Sequence, residues 1–184
     1  MEWIVLALAA GVVGYAIIIY NGLVSKRQMV REGWSGIDVQ LKRRTDLIPN
    51  LMETVKGYMA HERETLDAVV NARARATSAA AAGPEARAQA EGELSAALGR
   101  LLAVAEAYPD LKANTTFLEF QNALQGVEEE IQMARRYYNG AVRNLNIQVE
   151  SFPSNLVANA FKFEQAEYFE LENEAERAVP QVKF

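Results

Sequence analysis

The stretch that decides the fold is FLEFQNALQGVEEEIQMARRYYNGAVRNLNIQV, residues 117–149. Its apolar side chains recur at steps of three and four residues over more than four heptads, which places one apolar stripe on a helix and is typical of a bundle or coiled-coil seam. The stripe comprises Phe117, Phe120, Leu124, Val127, Ile131, Ala134, Tyr138, Ala141, Leu145 and Val149. We predict a long helix that opens with a capping box of Thr116 and Glu119. Phe152 and Pro153 end it.

A second apolar stripe precedes this helix and runs from Val30 to Val69 at the same spacing. Arg44 and Glu62 fall where the stripe calls for apolar residues. Pro49 lies inside the stripe, and the apolar residues keep their phase across it. A proline removes one helical hydrogen bond and crowds the preceding turn, so we predict a kink near residues 45–49 rather than a chain reversal.

Two more helices complete the predicted fold. Gly83 and Pro84 separate the first soluble helix from one over residues 85–107, and Ser154 can cap a short helix that reaches Phe163. Glycine and proline are scarce, at 11 and 5 residues, which disfavours a sandwich or barrel. Amphipathic helices must bury their stripes, and short connections favour antiparallel neighbours. We therefore predict an all-α fold: an antiparallel bundle of three long helices and one short helix, behind an N-terminal membrane helix.

The N-terminus carries an 18-residue run, Trp3 to Tyr20, without a charged side chain. A helix of that length spans about 27 Å, close to the thickness of a bilayer's hydrocarbon core. Glu2 stands where a signal peptide has basic residues, so we interpret the run as a retained anchor. Three cations, Lys26, Arg27 and Arg31, follow it.

The positive-inside rule predicts a single-pass protein of the cell (inner) membrane, with its N-terminus outside and its C-terminal domain in the cytoplasm. Basic residues after the anchor are expected to contact membrane lipid. The predicted organisation is an anchor over residues 1–24, a helical bundle over 25–163 and an acidic tail over 164–184. Tyr168 and Phe169 in the tail suggest that part of it docks on the bundle.

The sequence lacks the motifs of the common metal sites and catalytic sites. There is no cysteine, and His61 is the only histidine, so the zinc motif His-Glu-x-x-His fails at Thr65. Neither a Gly-x-Ser-x-Gly elbow nor a phosphate-binding glycine loop is present. The run Glu128 to Glu130 is interpreted as a solvated helix face. We predict no catalytic residue, no metal and no cofactor.

Polar residues beside the apolar stripes are the remaining candidates, as structural or interaction residues. The hypothesis is a partly buried network in which Asp38, Asp46 or Asn50 meets Arg135 or Asn139. Such networks set register more than they stabilise. The alternative is that these residues are unpaired at the rim of the bundle. The full candidate set is Trp34, Asp38, Asp46, Asn50, Arg135, Tyr138 and Asn139.

Four stretches of the chain resemble the LemA family of bacterial membrane proteins. They are YNGLVSKRQMVREGWSGIDVQLKRRTDLIPNLMETVKGYMAHERETL (residues 20–66), AEAYPDLKAN (105–114), ARRYYNGAVRNLN (134–146) and FPSNLVANAFKF (152–163). The family pattern usually has alanine where this chain has Gly33, a difference expected to loosen the helix slightly. The resemblance implies a single-pass anchor and a cytoplasmic helical bundle, and it implies no reaction. One branch of the family is associated with magnetosome membranes.

Function is weighed among three classes. The first is a membrane-anchored scaffold, a homo-oligomer that self-associates at the membrane through its bundle. The alternative is a monomeric adaptor that docks a membrane protease or signalling protein, through exposed aromatics such as Tyr108, Phe152 or Tyr168, or through the acidic tail. An enzyme is the least favoured class, because no pair of carboxylates is set apart by its surroundings. A nucleic-acid partner is not expected, because the net charge is −5.

Overall fold

A computed structural model of the chain describes residues 1–170, and the regular elements of this part are helical. The six α-helices are α1 (Glu2–Lys56), α2 (Arg63–Ser78), α3 (Pro84–Ala105), α4 (Pro109–Lys112), α5 (Thr115–Glu150) and α6 (Ser154–Ala160). One turn of 3₁₀-helix, Ala79–Ala81, joins α2 to α3. The all-α fold class is therefore confirmed. Residues 171–184 of the predicted acidic tail lie outside the described residues.

The first helix differs from its prediction at the C-terminal end. α1 is a single helix of 55 residues that contains Pro49 and stops at Lys56. The chain then turns over residues 57–62, where the amides of Tyr58 and Met59 bond back to the carbonyl of Val55. The prediction of one helix through Val69 was wrong. After the turn, α2 continues the apolar stripe in the same phase, so the spacing of apolar residues did not reveal the break.

The fifth helix has the predicted stripe but a different cap. The Phe117 amide donates to Asn114 Oδ1 at 3.0 Å, so Asn114 satisfies an N-terminal amide that has no partner inside the helix. The predicted capping box at Thr116 was wrong. The stripe itself is confirmed, because its residues are buried or half-buried along the whole of α5. The short helix after Pro153 is also confirmed as α6, but it ends at Ala160 rather than Phe163, and Ser154 is its first residue and not its cap.

The chain forms two compact units, which are described separately. Unit 1 comprises Met1–Ile37 and Met133–Tyr168, and unit 2 comprises Asp38–Gln132 and the chain from Phe169. Both α1 and α5 contribute to each unit.

Unit 2 packs the end of α1, the start of α5 and all of α2, α3 and α4 around one apolar core. Glu62 meets Tyr108 while Arg75 meets Glu93, so α2 and α3 are antiparallel. Helices α1 and α5 are also antiparallel here, because Arg44 pairs with Glu128 and Tyr58 lies by Asn114. The core consists of Ile48, Leu51, Met52, Val55, Met59, Leu66, Val69, Ala72, Ala76, Leu94, Leu98, Leu101, Ala105, Leu111, Phe117 and Leu124.

Unit 1 packs α1 from Ile19 onward against the end of α5 and against α6. Its core contains Ile19, Leu23, Leu145, Ala158 and Phe163. Ile19 and Leu23 were predicted within the anchor of residues 1–24, yet they are buried in protein. The continuous run of exposed apolar side chains at the start of α1 therefore ends at Ile18, and beyond it only isolated positions such as Met29 and Val39 are exposed.

Candidate functional site

Two of the predicted polar residues find partners in unit 2 that the sequence did not indicate. Asp38 Oδ1 lies 2.9 Å from Nη2 of Arg87. Asp46 forms an exposed salt bridge with Lys42, one helical turn away. Asn50 lies on the same helix, and its carbonyl accepts from the Thr54 hydroxyl at 3.0 Å. The contact of these residues with Arg135 or Asn139 stays a prediction.

The charged centre of unit 2 is Arg44, whose side chain is only 2 % exposed. Its Nη1 donates to Ser95 Oγ at 2.6 Å and to Glu128 Oε2 at 2.8 Å. Its Nη2 donates to Glu91 twice, to Oε2 at 2.6 Å and to the backbone carbonyl at 3.1 Å. A guanidinium suits this position, because its planar fork can satisfy several acceptors at once.

The network continues from Glu91 to a second buried arginine. Glu91 Oε1 lies 3.6 Å from Nε of Arg87, and both side chains are almost fully buried. Arg87 also donates to the carbonyl of Ala80 at 2.7 Å. Glu91 thus lies between two guanidinium groups. Glu128 also binds Arg44, and Asp38 also binds Arg87. We call these five residues the buried charge network.

The sequence held a signal for each buried member of this network. Arg44 lies in phase with the apolar stripe of α1, three residues after Leu41 and four before Ile48. Arg87 and Glu91 extend the stripe of α3 backwards from Leu94 at the same spacing. A charge in the buried phase of a helix requires a buried partner. In the run Glu128 to Glu130, interpreted as a solvated face, Glu129 and Glu130 are exposed, whereas Glu128, with its side chain 40 % exposed, binds Arg44.

A cavity of about 610 Å³ opens beside Arg44 between α3 and α5. Its lining is mixed, with leucines from both helices and polar side chains that include Gln121, Asn122 and Gln125. The charge of Arg44 is already compensated by Glu91 and Glu128. The site offers hydrogen bonds and apolar surface, and its chemistry suits binding rather than bond breaking. Among residues 1–170, no group of three or more metal-ligating side chains comes together.

In unit 1, the predicted residues Trp34 and Tyr138 mark the crossing of α1 and α5. Their ring centroids are 5.5 Å apart. Next to them, an added Cβ on Gly33 would lie 3.0 Å from Tyr138 Cα and 3.1 Å from Tyr137 Cδ1. Gly33 therefore allows the close approach of the two helices, a role that its sequence position did not reveal. Farther along, Gly22 faces Gln148, so α1 and α5 are antiparallel in this unit as well.

Residues 164–168 dock against unit 1 through polar contacts with α5. Tyr138 donates its hydroxyl to the carbonyl of Glu167 at 2.8 Å. Asn146 makes a paired contact with Ala166, donating to its carbonyl at 3.0 Å and accepting from its amide at 2.8 Å. Burial, and then the nearby charge of Glu167, raises the pKa of Tyr138 to about 12. The predicted docking of part of the tail is therefore observed.

The start of α1 stands apart from these packed regions. Large apolar side chains from Trp3 to Ile18 are more than half exposed. Within the described residues, α1 is the one helix long and apolar enough to cross a membrane. A core helix of a soluble protein would bury such a surface, so the exposed run favours membrane anchoring.

Comparison with known proteins gives related sequences that include magnetosome proteins and a LemA protein. The chain is 27 % identical over 175 residues to "Magnetosome protein MamQ 2" of Paramagnetospirillum magneticum, covering 82 % of this chain and 64 % of that protein. It is 24 % identical over 174 residues to "Magnetosome protein MamQ" of Magnetospirillum gryphiswaldense, with the same coverage. It is 27 % identical over 138 residues to "Protein LemA" of Metamycoplasma hominis, covering 75 % of this chain and 63 % of that protein.

The chain thus spans slightly less than two thirds of the length of these relatives. The family model for the LemA family matches residues 33–184, which include most of α1 beyond the apolar run and all later elements. This match covers both the charged centre of unit 2 and the crossing of α1 and α5 in unit 1. The resemblance seen in the four sequence stretches is confirmed, and the chain belongs to the LemA family.

Proposed function

We propose that this protein is a non-enzymatic scaffold, anchored in the cell membrane by α1 and self-associating there through its helical units. The observation that carries the proposal is the form of α1: one helix whose first part is exposed and apolar and whose later part builds protein cores. Such a helix fixes the position of the packed units directly after the bilayer. The magnetosome names of two relatives support a membrane role, because a magnetosome is a membrane compartment.

The proposed orientation has the N-terminus outside the cell and the packed units in the cytoplasm. It rests on Lys26, Arg27 and Arg31, which follow the apolar run, against the single acid Glu2 before it. Single cysteines test it well, because the chain has none of its own. With a membrane-impermeant maleimide, Glu2→Cys should react in intact cells and Lys42→Cys only after lysis. The reverse pattern would overturn the orientation.

A non-enzymatic role is supported by the state of the ionisable groups. The carboxylate of Glu91 is held between two arginines, and His61 is exposed in the turn between α1 and α2. Neither arrangement provides an activated nucleophile or a base aimed at a substrate.

Self-association is supported by exposed apolar residues on one face of α5. Met133, Tyr137 and Ile147 lie within about 80° of each other around the helix axis and are about half exposed. We expect the full-length chain in mild detergent to have a detergent-corrected mass, by light scattering, that is a multiple of the monomer mass. The double variant Met133→Glu/Ile147→Glu should shift this mass towards the monomer.

A matched control separates this surface from a general effect of charge. Asn71 and Ala74 are exposed on α2, so Asn71→Glu/Ala74→Glu adds the same charge elsewhere and should leave the mass unchanged. A wild-type chain that stays monomeric at micromolar concentration would overturn the scaffold. It would favour the adaptor, for which Phe152 and Tyr168 are exposed aromatics available to a partner.

A further inference from the structure

A second surface of unit 1 lies where the exposed apolar run of α1 ends. Tyr20 stacks edge-on against Phe161 and Phe163, with ring centroids 4.8 Å and 5.6 Å apart. Phe161 directly follows α6, and Ala158 of α6 packs in the same core as Ile19. The segment around α6 is therefore fixed beside the last exposed residues of the anchor.

This segment exposes large apolar side chains of its own. Phe152 is 80 % exposed, Leu156 61 % and Phe161 60 %. They lie within ten residues of chain, just before, within and just after α6. A concentration of exposed apolar side chains on a packed unit marks an interaction surface. We call Phe152, Leu156 and Phe161 the α6 patch.

The depth of the α6 patch along α1 matches a membrane interface. Tyr20 lies two residues past Ile18, which is about 3 Å along the helix axis. Amphipathic segments that lie on membranes sit about 5–10 Å into the boundary of headgroups and acyl chains. Because α5 is antiparallel to α1 in unit 1, the end of α5 points towards the anchor, and Phe152 comes four residues beyond the contact of Gln148 with Gly22.

The charges around the α6 patch also suit lipid. Residues 151–163 contain no acidic side chain, and Lys162 is exposed next to Phe161. Arg27 lies over the ring of Phe163 at 4.7 Å. The flanking acids are Glu150, whose carboxylate accepts from Gln165, and Glu164. Cations next to exposed aromatic and aliphatic side chains favour an anionic membrane surface.

We propose that the α6 patch inserts into the membrane interface, so that unit 1 contacts the bilayer at a second place beside the anchor. The proposal rests on the membrane anchoring given under Proposed function. The occupant is the bilayer, because the patch is continuous with the apolar surface of α1 through the contact of Phe161 with Tyr20. Contact of the α6 patch with the bilayer would fix the orientation of unit 1 relative to the membrane. A single membrane helix leaves rotation about its own axis unrestrained.

Spin labels on single cysteines measure this depth directly, since the chain contains no cysteine of its own. Full-length Phe152→Cys and Leu156→Cys, each labelled, are reconstituted in vesicles of phosphatidylcholine and phosphatidylglycerol. Power saturation then compares the accessibility of the label to oxygen, which enters lipid, and to a nickel chelate, which stays in water. Val12→Cys marks the anchor, and Leu118→Cys marks an exposed apolar position in the first turn of α5.

We expect labels at 152 and 156 to show a nickel accessibility several-fold below that at 118 and an oxygen accessibility approaching that at 12. Labels at 152 and 156 that resemble the label at 118, with the label at 12 in lipid, would overturn the inference and leave the anchor intact. A label at 12 in water would overturn the anchor itself. Low accessibility of 152 and 156 to both reagents would show cover by protein, a second copy or a partner, and would also overturn the inference.

Discussion

Arg44 and Glu91 meet at 2.6 Å in unit 2, on side chains that are 2 % and 1 % exposed. Arg87 reaches the same carboxylate from its other side. Two guanidinium groups therefore share one fully buried acid, while the partly exposed Glu128 and Asp38 each bind one of them. Removal of one partner from a buried ion pair leaves an uncompensated charge in a medium that solvates it poorly.

We expect Glu91→Ala to lower the free energy of unfolding by about 3–5 kcal/mol, because it leaves two buried arginines short of an acceptor. Denaturant melts of the full-length chain in detergent micelles measure it. The matched control is Glu93→Ala, two residues away, which breaks an exposed pair with Arg75 and should cost under about 1 kcal/mol. Equal effects of the two substitutions would show that the buried charge network does not hold unit 2 together.

The buried charge network also shows which features of the site could be predicted from the sequence and which could not. Periodicity places Arg44 and Glu91 in buried phases of their helices, but it could not show that Arg44 pairs with Glu91 and Glu128. These partners lie 47 and 84 residues away along the chain. Pairing across such separations depends on which helices become neighbours, and a helical stripe carries no information on that choice. The sequence therefore predicted that a partly buried polar network exists, but most residues of the observed network differ from the predicted ones.

The helices, too, could be predicted only in part from the sequence. The stripe of α5 was predictable because more than four heptads of periodic signal agree, and its burial follows. The turn after Lys56 was not predictable, because Leu66 and Val69 continue the apolar phase across it and no proline marks it. The kink expected near residues 45–49 stays a prediction. The proline lies inside α1, as expected of a residue that does not reverse the chain, and the chain reverses about two turns later, beyond Lys56.

A change of cap tests the observed start of α5. Asn114→Ala removes the acceptor of the Phe117 amide and should cost about 1 kcal/mol of stability. Thr116→Ala should have a much smaller effect, because the capping box predicted there does not form. Asn114 also donates to the Tyr58 hydroxyl at 3.2 Å, so Tyr58→Phe is the control that isolates this second bond. A larger loss for Thr116→Ala than for Asn114→Ala, in the same denaturant melts, would contradict the assignment.

Two glycines of α1 should respond in opposite ways to an added methyl group. Gly36→Ala places the new Cβ in open space, so the higher helix propensity of alanine should add about 0.5–1 kcal/mol of stability. Gly33→Ala makes the same gain in propensity, but its Cβ would lie 3.0 Å from the backbone of Tyr138. Because overpacking costs about 1–3 kcal/mol, we expect Gly33→Ala to be less stable than Gly36→Ala by at least about 1 kcal/mol. Equal thermal midpoints for the two variants would show that α1 and α5 separate easily at this crossing.

The contact between residues 164–168 and α5 can be tested at Asn146. Asn146→Ala removes both hydrogen bonds to Ala166, so amide hydrogen exchange at Ala166 should become at least tenfold faster. Asn144 is exposed two residues earlier on α5, and Asn144→Ala should leave that exchange unchanged. Fast exchange at Ala166 in the wild-type chain would show that the segment is not held by this contact.

The Tyr138 hydroxyl makes the stability of unit 1 depend on pH in the alkaline range. Burial raises its pKa from 10.0 to about 12, so between these values the folded chain keeps a proton that the unfolded chain has lost. Stability is therefore full below pH 10 and falls as the pH rises towards 12, by on the order of 2 kcal/mol. Tyr138→Phe removes this dependence, and it also removes the hydrogen bond to the Glu167 carbonyl, at a cost of about 1 kcal/mol.

The two effects give crossing curves for the wild-type chain and Tyr138→Phe. The variant should be less stable than the wild type at neutral pH and more stable near pH 12, in denaturant melts over that range. The pKa values of Tyr137 and Tyr108 are also raised, by burial and Glu32 for Tyr137 and by the hydrogen bond to Glu62 for Tyr108, but both groups are present in both chains. Their contributions cancel in the difference. Parallel curves would mean that the Tyr138 hydroxyl ionises equally well in the folded and unfolded states, which is incompatible with its buried bond to Glu167.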